Sequence, residues 1–242
     1  MQKLVEQIAA AARQTLTRRW AIGDWWFRAD DAVTNSRFAF DIVDQRCVTV
    51  TAYLLPSRDA PFWQRMLVVG NSLYMPLGNE IAGADPQAPP ARDQTWIKTP
   101  GTDFVSAAPP VTPLYWLLGA TSAKPTGQHR ALVTIGRDQS IEAAPAEHRQ
   151  GVGETWEQIH AQAEDRNLTQ LDCTVELAET ETVRSIDIEV GPGRRIVTDY
   201  ANVGEPVEIA LPDQYESIPL TDLLTTLGAP TAEPPQAGNE PS

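Results

Sequence analysis

The groups able to do acid–base, nucleophilic or metal chemistry in this chain are few: three histidines, two cysteines and a surplus of carboxylates. His148 and His160 stand twelve residues apart. That spacing matches neither the i, i+4 pair of a helical zinc site nor a ligand pair in a loop. His129, His148 and His160 therefore each read as solvated surface histidines. Cys47 and Cys173 lie in strand-like runs, QRCVTVTAYL and LDCTVEL, with no CxxC pair and no histidine at ligand spacing. Buried thiols are the first reading; a disulfide, in an oxidising compartment, is the second. No GxSxG elbow occurs. Gly151-Val152-Gly153 and Gly191-Pro192-Gly193 lack the strand-to-helix context of a phosphate loop and read as turn glycines. Asp30-Asp31 and Glu164-Asp165 are neighbours in sequence, whereas general acid–base work needs carboxylates facing each other across a cleft. Asn167-Leu168-Thr169 matches a glycosylation acceptor, but a helix-end asparagine accounts for it equally well. No catalytic residue, metal site or cofactor motif is assigned, and the chain reads as a protein that is not an enzyme.

Seven tryptophans against five phenylalanines are the one unusual group. Core filling explains most of them. Trp96 and Trp116 border loop-like stretches, and their sharper reading is the mouth of an apolar pocket.

The elements that would position such a pocket follow from periodicity. Residues 2–18 place Leu4, Ile8, Ala11, Ala12 and Leu16 at helical spacing. From about 24 to 76 the period becomes two. Phe38, Phe40 and Ile42 share one strand face; Val48, Val50 and Leu54 share another. RMLVVGNSLYM reads as a hairpin turning at Gly70-Asn71. Several strands in a row without helices indicate an antiparallel meander. Residues 76–113, rich in Pro, Ala, Gly and Asp, read as a long functional loop around the island TWIKTP. PLYWLLGA (113–120) reads as a short apolar helix with Pro113 in its first turn. After it come a strand in GQHRALVTIG, a polar helix in GETWEQIHAQAEDRN, and four strands in LTQLDCTVELAE, ETVRSIDIEVG, RRIVTDYANVG and PVEIALP. A closing helix in SIPLTDLLTTLG has Thr221 as its cap and Gly228 as its stop.

The 242-residue chain is expected to form one domain over 1–228, followed by a disordered tail over 229–242. Its net charge of -13 repels phosphate backbones, so nucleic acid is not an expected partner. No run approaches the roughly 18 apolar residues of a membrane span. The N-terminal segment has no signal-peptide pattern, which keeps a cytoplasmic location open. A sheet of eight or more strands must twist and tends to curl. The expected fold class is α+β: a strongly curved antiparallel β-sheet, a half-barrel, covered on its concave face by short helices.

The last third of the chain carries a more specific signal. YANVGEPVEIALP (200–212) followed by SIPLTDLL resembles the closing strands and terminal helix of the LppX/LprG-type lipoproteins and their LolA-like relatives. VVGNSLYMPLG, then TWIKTPG, then PLYWLLGA before the second run of strands, resemble the same pattern. The resemblance implies a LolA-like half-barrel with a hydrophobic cavity for acyl chains, which carries or senses lipids. It also implies an extracytoplasmic, membrane-associated location, and a family without catalytic residues.

Two functions follow as expectations. The first is a carrier or sensor of a lipid or other apolar small molecule, without cofactor. Its cavity would be lined by Phe38, Phe40, Ile42, Val48, Val50, Leu67, Val69, Met75, Trp96, Trp116, Val175, Ile186 and Ile188. The second is a protein-interaction or regulatory module that uses the same scaffold with a filled core and engages a protein partner through an edge strand or the 76–113 loop.

Overall fold

The computed structural model describes residues 2–29, 32–53, 62–77, 85–88, 95–100, 103–163, 168–212 and 217–226. Asp30-Asp31, Leu54, Glu164-Asp165, Asn167, Gly228, the tail and, within the 76–113 loop, residues 78–84, 89–94 and 101–102 lie outside them.

Helix α1 (Gln2–Thr17) opens the chain. Its buried stripe is small, Ala9, Ala11 and Ala12 beside Ile8, so the helix lies close against what it covers. A meander follows: β1 (Trp20–Ala29), β2 (Ala32–Asp41), β3 (Arg46–Tyr53), β4 (Phe62–Val69), β5 (Ser72–Pro76) and β6 (Trp96–Pro100). The island TWIKTP is thus a strand. Gly70, at φ +54°, makes the β4–β5 turn in a conformation that a Cβ would strain. Two short helices come next, α2 (Phe104–Ala107) and α3 (Thr112–Leu117), the latter with proline in its first turn.

The second meander is β7 (Ala120–Pro125), β8 (Arg130–Gly136), β9 (Gln170–Leu177), β10 (Val183–Gly191) and β11 (Arg194–Ala201). Helices α4 (Arg137–Ala143) and α5 (Arg149–Ala163) interrupt it between β8 and β9. The described residues end in β12 (Ser217–Pro219) and α6 (Leu220–Thr226).

All twelve strands form one open, curved sheet in the order β12-β6-β5-β4-β3-β2-β1-β11-β10-β9-β8-β7. The two meanders meet where β1 pairs with β11, Trp25 opposite Thr198 and Phe27 opposite Ile196. The expected α+β half-barrel is the observed fold, with one amendment. The β12–β6 pair is parallel, so the sheet is mixed.

That amendment has a physical cause. After β11, at mid-sheet, the chain reaches β12 at the far edge through residues 202–212, which form no strand. PVEIALP, expected as a strand, is therefore a strap. Val207 and Ile209 pack across the outer face on Ala39, Val48, Val50, Leu67 and Trp96. Alternation in this segment reports one buried side, not ladder pairing.

The other face carries the main core. Phe38 and Phe40 stack with centroids 5.8 Å apart, and Tyr200 meets both edge-on. Ala21, Cys47, Val68, Val175, Ile186 and Ile188 extend this layer, and Ile8, Val105, Leu114, Leu117 and Trp156 close over it from the helices. Cys47 and Cys173 are free and buried in this layer. Strands β2, β1, β11 and β10 separate them, so they cannot reach disulfide distance.

Candidate functional site

The helical cover does not seal the sheet where the two meanders meet. A cleft of about 190 Å³ opens between β1 and β11 on one side and α2, α3 and α5 on the other. Strand alternation sends Trp25 and Phe27 to this face from β1, and Ile196 from β11. Pro109, Pro113 and Trp116 come from the α2–α3 hairpin, and Ile159 from α5. Ser106, Thr112, Thr155 and Gln158 complete the lining.

The hydroxyl groups among these are already committed to the protein. Thr112 Oγ1 donates to the Val105 carbonyl at 2.7 Å. Ser106 Oγ donates to the Asp103 carbonyl at 3.0 Å. Thr155 Oγ1 donates to the Val152 carbonyl at 2.7 Å and accepts from Trp116 Nε1 at 2.9 Å. A guest therefore meets aromatic and aliphatic surface without leaving a buried donor unpaired.

The framework behind the cleft explains several residues. Asp103 caps α2 by accepting from the Val105 N–H at 2.8 Å. A Cβ at Gly151, inside α5, would overlap the Asp103 carboxylate. Gly151 and Gly153 are helical and not turn glycines; Gly151 is there so that α2 and α5 can approach. The histidines are also corrected. His148 is buried, edge-on to Tyr115 at 5.3 Å and 3.8 Å from Asp103. His160 is buried against Trp156, with Nε2 donating to the Leu168 carbonyl. Only His129 is exposed, as expected for all three. Burial, followed by the charges of Asp103 and Glu147, raises the Tyr115 hydroxyl above its ordinary range, so it stays neutral.

The residues expected to line one cavity divide between two faces. Phe38, Phe40, Ile42, Val175, Ile186, Ile188 and Trp116 belong to the helix-covered core. Met75, half-buried, shares this face with Leu73 by alternation. Val48, Val50, Leu67, Val69 and Trp96 lie on the opposite face, under the strap, and cannot share a cavity with the others. Trp116 is the one of these residues that lines the cleft. Trp25, Phe27, Ile159 and Ile196 were missed; the alternation of Trp25 with Phe27 in WAIGDWWF was the available signal.

A larger recess of about 420 Å³ lies among β9, β10 and β11, lined by Arg28, Asp172, Asp187, Glu189, Arg194 and Arg195. Arg195 binds Asp187 through two hydrogen bonds there. Such charged walls oppose an apolar guest, because burying them without partners is costly. Among the described residues no cluster of three or more His, Cys, Asp or Glu could hold a metal ion. Nor is any described helix long and apolar enough to cross a membrane.

An open half-barrel with helices over one face and a cleft at its midline defines the structural class. No family model matches the chain, and no curated protein matches its sequence. Among solved structures, LprF from Mycobacterium bovis aligns with a TM-score of 0.54 at 10% identity, over 88% of this chain and 98% of LprF. The Mycobacterium tuberculosis lipoprotein LppX aligns at 0.45 and 13% identity, over 84% and 98%. At these identities the likeness is one of fold: the chain has the fold of LprF, as the resemblance in its sequence implied.

Proposed function

We propose that this protein binds an apolar ligand, a lipid or acyl chain, in the cleft between β1–β11 and α2, α3 and α5, as a carrier or sensor and not as an enzyme. The observation that supports this most strongly is the lining. Trp25, Phe27, Trp116, Ile159 and Ile196 surround a space whose hydroxyls are satisfied from within. The cleft holds roughly six methylenes, taking each as about the ~30 Å³ share of a water molecule. At about 0.8 kcal/mol per methylene, transfer from water contributes about 5 kcal/mol. The guest is then one short chain or the end of a longer one. An extracytoplasmic, membrane-associated setting accompanies this reading and is tested by cell fractionation.

Native mass spectrometry of the full chain, before and after organic extraction, tests the proposal. A mass adduct lost on extraction and restored by added lipid supports it. A protein without adducts that also takes up no fluorescent fatty-acid probe counts against it.

A second reading, a protein-interaction module, has its own support. Phe38, Phe40, Leu114 and Leu117 are fully buried, and the cleft is smaller than the roughly 300–1,000 Å³ of most ligand pockets. Recovery of one stoichiometric protein partner, with no bound lipid, favours it.

A further inference from the structure

The lining of the cleft is graded from mouth to floor. Gln158 is exposed, and Trp25, Phe27 and Ser106 are half-buried, whereas Thr112, Trp116 and Thr155 are buried. One chain of hydrogen bonds fixes that floor. Trp116 Nε1, on α3, donates to Thr155 Oγ1, on α5, at 2.9 Å, and Thr155 Oγ1 donates to the Val152 carbonyl at 2.7 Å. The indole thus bridges the two helices. The fully buried Trp156, which does not line the cleft, backs it with ring centroids 5.8 Å apart. Turning the Trp116 side chain aside would leave its N–H unpaired inside the protein, which is costly. A guest therefore meets a floor that does not yield.

We infer that the Trp116–Thr155 bond sets how deep an alkyl chain can enter, so that the cleft takes one chain and buries only its first few methylenes, whatever its length. This rests on the cleft being the binding site, and it adds the pair of residues that limits the guest. At the ~30 Å³ share of a water molecule, the 190 Å³ of the cleft is filled by about six methylenes. Until then each added methylene strengthens binding about fourfold, the equivalent of about 0.8 kcal/mol. Later methylenes stay in water at the mouth and add little. Gln158 and Trp25 stand at that mouth, so the rule concerns chain length and leaves the head group free.

The test uses the full chain, delipidated, and straight-chain alkan-1-ols from butan-1-ol to decan-1-ol, with affinity read by isothermal titration calorimetry. For wild type the expected result is a rise of about fourfold per methylene up to hexan-1-ol or heptan-1-ol, then a plateau. Thr155→Val keeps the branched shape but removes the acceptor, which frees the indole; Trp116→Phe shortens the floor itself. Circular dichroism verifies that each variant is folded. Both should move the plateau outward by at least one methylene, so that decan-1-ol gains about fourfold or more over wild type while butan-1-ol is nearly unchanged. A wild-type affinity that climbs unbroken to decan-1-ol, or a plateau unmoved in the folded variants, overturns the depth rule and leaves the cleft reading standing. If wild type binds none of the alcohols, the cleft reading fails and takes the rule with it.

Discussion

The Tyr200 hydroxyl donates to the Pro110 carbonyl at 2.8 Å, a buried bond that fastens β11 to the turn between α2 and α3. Burial raises the Tyr200 phenol far above its ordinary range, which keeps the hydrogen in place. Tyr200→Phe retains the ring that meets Phe38 and Phe40 edge-on but leaves the carbonyl unpaired. The expected cost is about 1–2 kcal/mol, read as a lower urea midpoint with unchanged slope. An unchanged midpoint means that the hairpin is held by packing alone.

Asp41 anchors the junction of α1, β1 and β2. Its carboxylate accepts from Arg19 Nε at 2.9 Å, Arg19 Nη2 at 2.8 Å, Trp20 Nε1 at 3.0 Å and the backbone N–H groups of Val43 and Asp44. Burial pushes its pKa upward, but bonds from Arg19, the Asp44 backbone and Trp20 outweigh that and hold it below the ordinary 3.8. A folded-state value below the unfolded one stabilises the protein above the unfolded value. That contribution is lost as pH falls through the folded value. Thermal melts between pH 5 and 2 should therefore show wild type losing melting temperature faster than Asp41→Asn below about pH 4. Parallel curves contradict the assignment.

Gly151→Ala reverses an ordinary expectation. In an exposed helix the change stabilises by about 1 kcal/mol. Here the added Cβ overlaps the Asp103 carboxylate that caps α2, so the variant should be destabilised by about 1–3 kcal/mol. Chemical denaturation reads the sign directly. Because α2 borders the cleft, dye binding should weaken with it.

The strap is a structural element in its own right. Ile209 is buried against the outer face of the sheet. Ile209→Ala should cost about 2–3 kcal/mol, near the lower end for a buried isoleucine. Amide exchange should rise first along β3 and β4, beneath the strap. Exchange confined to β8–β10 is the contrary outcome.

Much of this architecture could be read from periodicity, and the failures share a cause. Phe38 and Phe40, or Ile186 and Ile188, announce strands because alternate residues are buried. Val48 and Val50 do so equally, yet they lie under the strap. Alternation separates two faces but does not say which one the helices cover once both are buried. Trp96 follows the same logic: its pairing with Pro76 in β5 fixes its side, and that pairing joins positions twenty residues apart in sequence. Val207 and Ile209 imitate a strand because a strap laid across a sheet also buries every second residue. Gly151 looked like a turn because its reason is the carboxylate of Asp103, forty-eight positions upstream. Trp116 borders a loop in sequence and lines the cleft, whereas Ile196 needed the β1–β11 pairing to come beside Phe27, and Ile159 needed the packing of α5 over them.

Filling the cleft tests its role most directly. Ile159→Trp adds bulk to α5 at the cleft wall, and Ile159→Val opens the same position slightly. Delipidated wild type and both variants are titrated with octan-1-ol and followed by native mass spectrometry, with circular dichroism to verify folding. The account predicts one-to-one complexes for wild type and Ile159→Val, and loss of at least about tenfold in affinity for a folded Ile159→Trp. Equal binding by a folded Ile159→Trp, or no binding by wild type, contradicts it.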